Sequence, residues 1–255
     1  PLSMFVLLCG ICFGIGMQMH LSIVKRIGLI LSTSVSASCA ILGGTIVTIL
    51  FSELPKGVTI PLLMLVAVLL ISATIVCQYA GILRDKDKGI AVAATKESRK
   101  KDVFHLAFIN LVLLSSYALA NSIALKTPTN PRGFEALTNM GVLVIGAFVG
   151  SLAVTLIRCH KEGGLRFDCG GSRKKILALI AACCHFGGNV LHTFFAPVIS
   201  VTIATALGNS YHLWSYVWGL LYGEFKGSSV KTYAILGIGI LLFVIGVVII
   251  SLKTV

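Results

Sequence analysis

The sequence predicts an all-α, polytopic membrane helix bundle with eight visible spans. Three observations predict it. Only 12 % of the 255 residues are charged, against about 25 % in an average soluble domain, while 56 % are hydrophobic and the mean hydropathy is +0.97. Eight apolar runs, each near the roughly 20 residues that cross a hydrocarbon core, contain no Asp, Glu, Lys or Arg. The basic residues are also distributed unevenly between alternate loops. This composition excludes a soluble globular enzyme, a disordered tail and a nucleic-acid-binding domain. The net charge of +12 therefore has to be read by position.

The runs are Leu2–Val24, Ile27–Phe51, Val58–Leu83, Val103–Leu125, Asn139–Ile157, Ile176–Phe195, Val198–Tyr222 and Thr232–Leu252. They are apolar on all sides, as helices facing lipid are. They lack the period-two alternation of a membrane β-barrel. The loops after spans 1, 3, 5 and 7 hold seventeen Lys and Arg, and the opposite side holds four: Lys56, Lys126, Arg132 and Lys253. That split follows the positive-inside rule and supports the span count, because one missed helix would scramble it. Both visible ends then face outward, and the loop from Arg84 to Asp102 is cytoplasmic. Basic loops beside anionic lipid account for the charge, so the expected partners are the bilayer and a small solute, not nucleic acid. The chain opens at Pro1 within an apolar run. No basic n-region or cleavage site marks a secretory signal, and the chain reads as a fragment.

Two segments repeat. Span 1 carries Phe13-Gly14-x-Gly16 and span 6 carries Phe186-Gly187-Gly188. Span 2 ends Phe51-Ser52-Glu53-Leu54-Pro55-Lys56-Gly57, and span 7 ends Tyr222-Gly223-Glu224-Phe225-Lys226-Gly227. Span 1 enters from outside and span 6 from inside, so the copies have opposite topology, the architecture of secondary transporters. On this reading residues 1–83 are a first repeat, 84–102 a cytoplasmic loop and 103–255 a second repeat. Spans 4 and 5 have no counterpart in the first copy. Two further helices before Pro1 would complete a ten-span inverted-repeat transporter.

Trp218-Gly219-x-x-x-Gly223-Glu224-Phe225-Lys226, with Ser228-Ser229 and a last helix opening Thr232-Tyr233, resembles the end of the drug/metabolite transporter superfamily. Within it the run looks most like ureide permeases, with sugar/rhamnose permeases close behind. Phe186-Gly187-Gly188-Asn189 is similar to the Gly/Asn segment of their third-to-last helix. The resemblance implies ten helices, alternating access and movement of solutes such as allantoin, uracil or sugars. The central loop, RDKDKGIAVAATKESRKKD, lacks the glycine-rich phosphate loop described for ureide permeases, so no nucleotide binding is assigned.

Polar residues in a span face protein or water. Thr202, Thr205, Asn209, His212 and Tyr216 form one stripe in span 7, and Ser34, Ser38, Thr45 and Thr48 form another in span 2. His185, Asn189 and His192 share a face of span 6, span 1 offers Gln18, and span 4 offers Asn110, Tyr117 and Asn121. Gln18, Asn189, His192, Asn209, His212 and Trp214 are the candidate substrate-binding residues, because amide, imidazole and indole groups suit a neutral hydrogen-bonding solute. Interhelical hydrogen bonding is the alternative for the Ser and Thr. Interfacial anchoring is the alternative for Trp214 and Trp218. Gly187, Gly188, Trp218, Gly223 and Glu224 are read as structural or gating positions, with Glu53 and Glu224 in helix-end ion pairs beside Lys56 and Lys226. Gly10-x-x-x-Gly14 marks a close helix contact. Pro61 and Pro197 fall near helix starts.

No span carries a carboxylate. Proton coupling, if any, would use His185, His192 or His212. Cys9-x-x-Cys12 and Cys183-Cys184 lie within spans and read as packing. Cys159, His160 and Cys169 lack an evident fourth zinc ligand, and Phe167–Gly171 reads as a linker. No hydrolase or metalloprotease constellation is present, so the chain is not expected to be an enzyme or to hold a cofactor. The expected setting is an integral multi-pass protein, in the plasma membrane before an internal one, with room for a homodimer.

Overall fold

A computed structural model describes residues 2–51, 59–89, 92–127, 130–161, 171–199 and 211–253. These residues are built from helices: α1 (Leu2–Ile27), α2 (Leu29–Phe51), α3 (Ile60–Asp87), α4 (Val92–Phe108), a π-helical turn (Ile109–Leu114), α5 (Ser116–Ala124), α6 (Ala136–Lys161), α7 (Ser172–Ile199), α8 (Tyr211–Leu221) and α9 (Val230–Lys253). Six stretches are long and apolar enough to cross a membrane: Leu2–Ile27, Met64–Asp87, Lys100–Ala124, Ala136–Lys161, Ser172–Val198 and Val230–Ile249. The chain is thus an all-helical, multi-pass integral membrane protein. Span 2 is helical from Leu29 to Phe51, and of span 7 only Val198 and Ile199, at the end of α7, and the closing turns from α8 on lie within the description.

Helix ends depart from the expected ones where a tertiary contact replaces a loop. Lys25 and Arg26 occupy the last turn of α1, not a loop. A single residue, Gly28 at φ +93°, separates α1 from α2. Helix α3 runs on to Asp87 and α4 begins at Val92, so helix occupies most of the 84–102 stretch. Pro61 sits in the first turn of α3, as expected, behind Thr59, whose hydroxyl accepts the Leu62 amide at 3.4 Å. Pro197 is different: it lies inside α7, two residues before its end, and not at a helix start.

Three of the four buried clusters among the described residues organise the packing. Ile30, Leu31, Leu70, Tyr216, Phe225, Leu236 and Phe243 join α2, α3, α8 and the α8–α9 turn to α9. Val6, Cys9, Ala120, Ala124 and Leu143 join α1, α5 and α6. Ile23, Ile27, Val35, Leu106 and Ile109 join α1, α2, α4 and the start of the π-helical turn. Helix pairs α1–α6 and α3–α9 are the most extensive. Each of these pairs takes one helix from 1–83 and one from 103–255.

The α1–α6 pair explains Gly10-x-x-x-Gly14. A Cβ on Gly10 would strike the Leu143 carbonyl, and one on Gly14 the Ala147 carbonyl. From the other side, a Cβ on Gly146 or Gly150 would strike the carbonyl of Leu7 or Ile11. The backbones meet because both surfaces lack side chains there, the small-residue geometry of membrane helix pairs. Ser151 Oγ adds a bond to the Gly14 carbonyl at 3.2 Å. Gly187 and Gly188 of α7 have open space where a Cβ would stand, and every residue from Ser172 to Gly188 is exposed.

Ser34 and Ser38 serve helix packing. Ser38 Oγ donates to the Leu70 carbonyl at 2.9 Å, Thr74 Oγ1 donates to Ser38 Oγ at 2.7 Å, and Gln78 Nε2 donates to Ser34 Oγ at 3.2 Å. Thr45, Thr48 and His212 have side chains outside the described set. Thr202, Thr205, Asn209, Glu53, Lys56, Cys169 and Phe167–Gly170 are outside the described residues altogether.

The basic ends of the helices converge. Arg26 pairs with Asp102 at 2.8 Å, tying α1 to α4. Asp87 Oδ2 accepts Thr232 Oγ1 at 2.7 Å, the Ser229 amide at 2.8 Å and Ser229 Oγ at 2.9 Å, so it caps the start of α9. Asp87 stands beyond the apolar run that ends at Leu83. The Thr232 hydroxyl and then the two Ser229 donors hold its carboxyl below the ordinary aspartate range. Both Glu224 carboxylate oxygens go to backbone amides of α2, those of Leu29 and Ile30, the latter at 2.9 Å. The expected ion pair with Lys226 is replaced by a helix cap reaching across the fold. Gly223, at φ +73°, makes the turn that presents it.

Candidate functional site

Tyr117, on α5, is the hub of the polar residues inside the bundle. Its Oη lies 3.0 Å from His192 Nδ1, 3.0 Å from Thr193 Oγ1 and 3.0 Å from the Asn189 carbonyl, to which it donates. The last three belong to α7, where Asn189 and Thr193 are one turn apart and His192 sits between them on the same side. Thr193 Oγ1 also donates to the Asn189 carbonyl at 2.9 Å. One turn earlier, His185 Nε2 is 3.3 Å from Asn189 Nδ2.

Aromatic rings close the cluster. Phe13 of α1 stacks on His185, with centroids 6.5 Å apart and planes 9° from parallel. It also contacts Tyr117 at 5.6 Å, and Tyr117 contacts His192 at 5.4 Å. Tyr117 lies about 12 Å below the end of its span at 1.5 Å per residue, inside a hydrocarbon core about 30 Å thick. One turn further out, Asn139 Nδ2 of α6 donates to Asn121 Oδ1 at 2.8 Å. This leaves Asn121 Nδ2 and Asn139 Oδ1 buried without partners.

The cluster's proton bookkeeping is flexible. The Tyr117 hydroxyl has one proton and faces a carbonyl that only accepts and an imidazole that does either. When the hydroxyl donates to Asn189, Nδ1 of His192 supplies its own proton. When it donates to His192, Thr193 still serves the Asn189 carbonyl. The same heavy-atom positions therefore suit either tautomer. Such a site presents donors, acceptors and ring faces with no fixed charge among the named groups.

A second polar seam lies nearer the basic end. Asn110 Nδ2 reaches Ser36 Oγ at 3.3 Å and the Leu106 carbonyl at 2.7 Å, and Ser36 Oγ is 3.4 Å from His20 Nδ1. It joins α1, α2 and the π-helical turn.

The structure brings together His185, Asn189 and His192, and adds Tyr117. Asn209 lies outside the described residues and the His212 side chain outside the described set, while the Gln18 and Trp214 side chains do not join the cluster. Gln18 takes part through its backbone carbonyl, which accepts Ser22 Oγ at 2.9 Å and Arg158 Nη2 at 3.1 Å. Trp214 is 68 % exposed on α8, and Trp218 is 52 % exposed and stacked on Tyr222 at 6.0 Å. Both indoles look outward. Phe13 and Thr193 escaped the sequence reading, although Thr193 repeats the Asn189 position one turn on. No group of three or more His, Cys, Asp or Glu side chains among the described residues could hold a metal ion.

Comparison with known proteins returns no matching family model, no matching curated protein and no matching solved structure. The fold and site define a class by themselves: an integral, multi-pass, all-helical membrane protein with an uncharged polar and aromatic cluster where α1, α5 and α7 meet.

Proposed function

We propose that this chain is a secondary transporter of the drug/metabolite superfamily. It moves a small neutral polar solute, of ureide or nucleobase type, across the plasma membrane by alternating access. The observation that carries the reading is the Tyr117–His192–Asn189 cluster with Phe13 and His185. It is a set of uncharged donors, acceptors and ring faces where three helices meet inside the membrane. Polar groups are costly in hydrocarbon, and a cluster of this size is spent on solute more readily than on packing.

The packing supports a ten-span, inverted arrangement. Spans 3 and 8 occupy corresponding places in the two repeats, and α3 packs on α9. Spans 2 and 7 also correspond, and α2 packs on α8. Helix α1 uses Gly10 and Gly14 to meet α6, while Gly187 and Gly188 of its counterpart α7 face open space. A ten-span protein has a helix for that face. Coupling to protons would fall to His185 or His192.

Proteoliposomes carrying the full-length protein, offered labelled allantoin, uracil and hexoses, test the proposal. Saturable uptake of allantoin or uracil, lowered by Tyr117→Phe, is expected. Uptake of hexoses alone assigns a sugar permease instead. A folded protein that moves none of them is a membrane scaffold or receptor, and the transport reading is then wrong.

A further inference from the structure

We propose that the π-helical turn Ile109–Leu114 is a hinge built into the fourth span, about which α5 and its Tyr117 swing relative to α4. The inference rests on the transport reading for its purpose, though not for its geometry.

Four observations carry it. First, side chains hold the wide turn open. The Ser115 amide reaches back five residues to the Asn110 carbonyl at 3.2 Å, and Ser115 Oγ joins it at 3.0 Å. Asn110 Nδ2 serves the Leu106 carbonyl, the group its own amide would serve in a regular α-helix. Ser116 Oγ bonds the Leu113 carbonyl at 2.5 Å and the Cys9 carbonyl at 2.9 Å. Backbone groups freed by the extra residue thus keep partners, a condition for irregular backbone in a membrane.

Second, the neighbours leave room. A Cβ on Gly43 of α2 would strike Ser115 Oγ, and one on Gly16 of α1 would come within 2.8 Å of Leu113 Cβ. Third, Val112 is 53 % exposed, so the described residues leave that side of the turn largely uncovered. Fourth, the flanks belong to different clusters. Leu106 and Ile109 are fixed among Ile23, Ile27 and Val35, while Ala120 and Ala124 pack with Val6 and Leu143. Tyr117, two residues past the turn's last bond at Ser115, carries the link to α7. A π-turn within an α-helix is a common mark of a functional bend.

A swing of α5 withdraws the Tyr117 hydroxyl from His192, Thr193 and the Asn189 carbonyl together. Those three groups are then offered to a solute. Asn110 and Ser115 are positioning residues in this scheme, acting through the turn.

Deleting Val112 tests the hinge. One residue fewer and one wide turn fewer leaves a regular α-helix with both flanks where they stand. The deletion protein is expected to fold, and its His192 imidazole 15N signals are expected to match the parent, whereas Tyr117→Phe shifts them. Uptake of whichever of allantoin, uracil or hexose the parent carries is expected to fall about tenfold or more, as hinge lesions do. With a spin-labelled amino acid in place of Phe104 and of Lys126, the distance distribution is expected to be narrower in the deletion protein. Parental uptake, equal distance widths, failure to fold or a lost His192 signal each overturn the proposal. If the parent itself carries none of the three solutes, the transport reading fails, and the hinge stands or falls on the distances alone.

Discussion

The Glu224 carboxylate accepts the Ile30 amide at 2.9 Å from 194 residues away in sequence, and its other oxygen takes the amide of Leu29. The first amides of a helix have no partner within it, and they carry the positive end of its dipole. A carboxylate is therefore the suited cap. Here it comes from the turn between α8 and α9, while Lys88 Nζ at the end of α3 donates to the Glu224 carbonyl at 3.0 Å. Glu224→Ala leaves two amides without an acceptor, and a hydrogen bond to a charged group is worth about 1.5–3 kcal/mol. The expected result is a loss of that order in unfolding free energy in detergent, with Glu224→Gln losing less. Equal stability of Glu224→Ala and the parent would show the cap to be incidental.

Gly28 gives an independent reading of the same cap. Its φ of +93° disfavours any L side chain, and a Cβ there would come 3.1 Å from Glu224 Oε2. Gly28→Ala is expected to cost about 1–2 kcal/mol, from the backbone alone. Combined with Glu224→Ala it should cost less than the sum, because the crowded carboxylate is gone. A double-mutant cycle in detergent measures the coupling, and strict additivity would contradict the contact.

The spans were legible because hydrocarbon demands long uncharged runs, and six of the eight expected runs coincide with helices long and apolar enough to cross a membrane, with shifted ends. The Gly10–Gly14 contact was legible for a similar reason, since four-residue spacing of glycines has few other uses in a span. The face of α7 was legible from the spacing of His185, Asn189 and His192. The π-helical turn was not, because Gly16 and Gly43, on two other helices, make room for it. Nor was the one-residue turn at Gly28, because charged Lys25 and Arg26 look like a loop until a remote Glu224 caps the next helix. Trp214 has the right chemistry for stacking, but its direction depends on how α8 sits in the fold.

The two glycine pairs make opposite predictions. Gly14 meets the Ala147 backbone, whereas Gly187 meets open space. Gly14→Ala is expected to push α1 from α6 and lower stability by about 1–3 kcal/mol, the range for overpacking. Gly187→Ala in residues 1–255 is expected to be neutral or slightly stabilising, since alanine is the better helix former. Thermal unfolding of both variants in one detergent checks the pair, and a larger cost at Gly187 would reverse the packing assignment.

Tyr117→Phe removes a hydroxyl and leaves the ring on Phe13. Membrane polar contacts average about 0.6 kcal/mol and reach about 1.7. A modest stability loss of that order is expected, while any uptake the parent shows should fall by far more. Thr193→Val offers the control, since Tyr117 keeps His192 and the Asn189 carbonyl. If Tyr117→Phe and Thr193→Val affect uptake equally, the hub is packing and not part of the path.

Asp87 predicts an acid dependence at the basic end of the bundle. Its carboxyl is held below the ordinary range by Thr232 Oγ1, the Ser229 amide and Ser229 Oγ. A group whose folded pKa is depressed contributes stability that is whole above its unfolded pKa, about 3.9 for aspartate. That contribution is lost as pH falls through the lower folded value. The thermal midpoint of the parent should therefore decline below about pH 4 with a component that Asp87→Asn removes. Because Asp87 is exposed, water screens it and the component is small. Thr232→Val should shrink it without abolishing it, since the donor with the largest effect goes while both Ser229 donors stay. An Asp87→Asn protein that keeps the full acid decline would assign that decline to other carboxylates and leave Asp87 as a cap of little electrostatic weight.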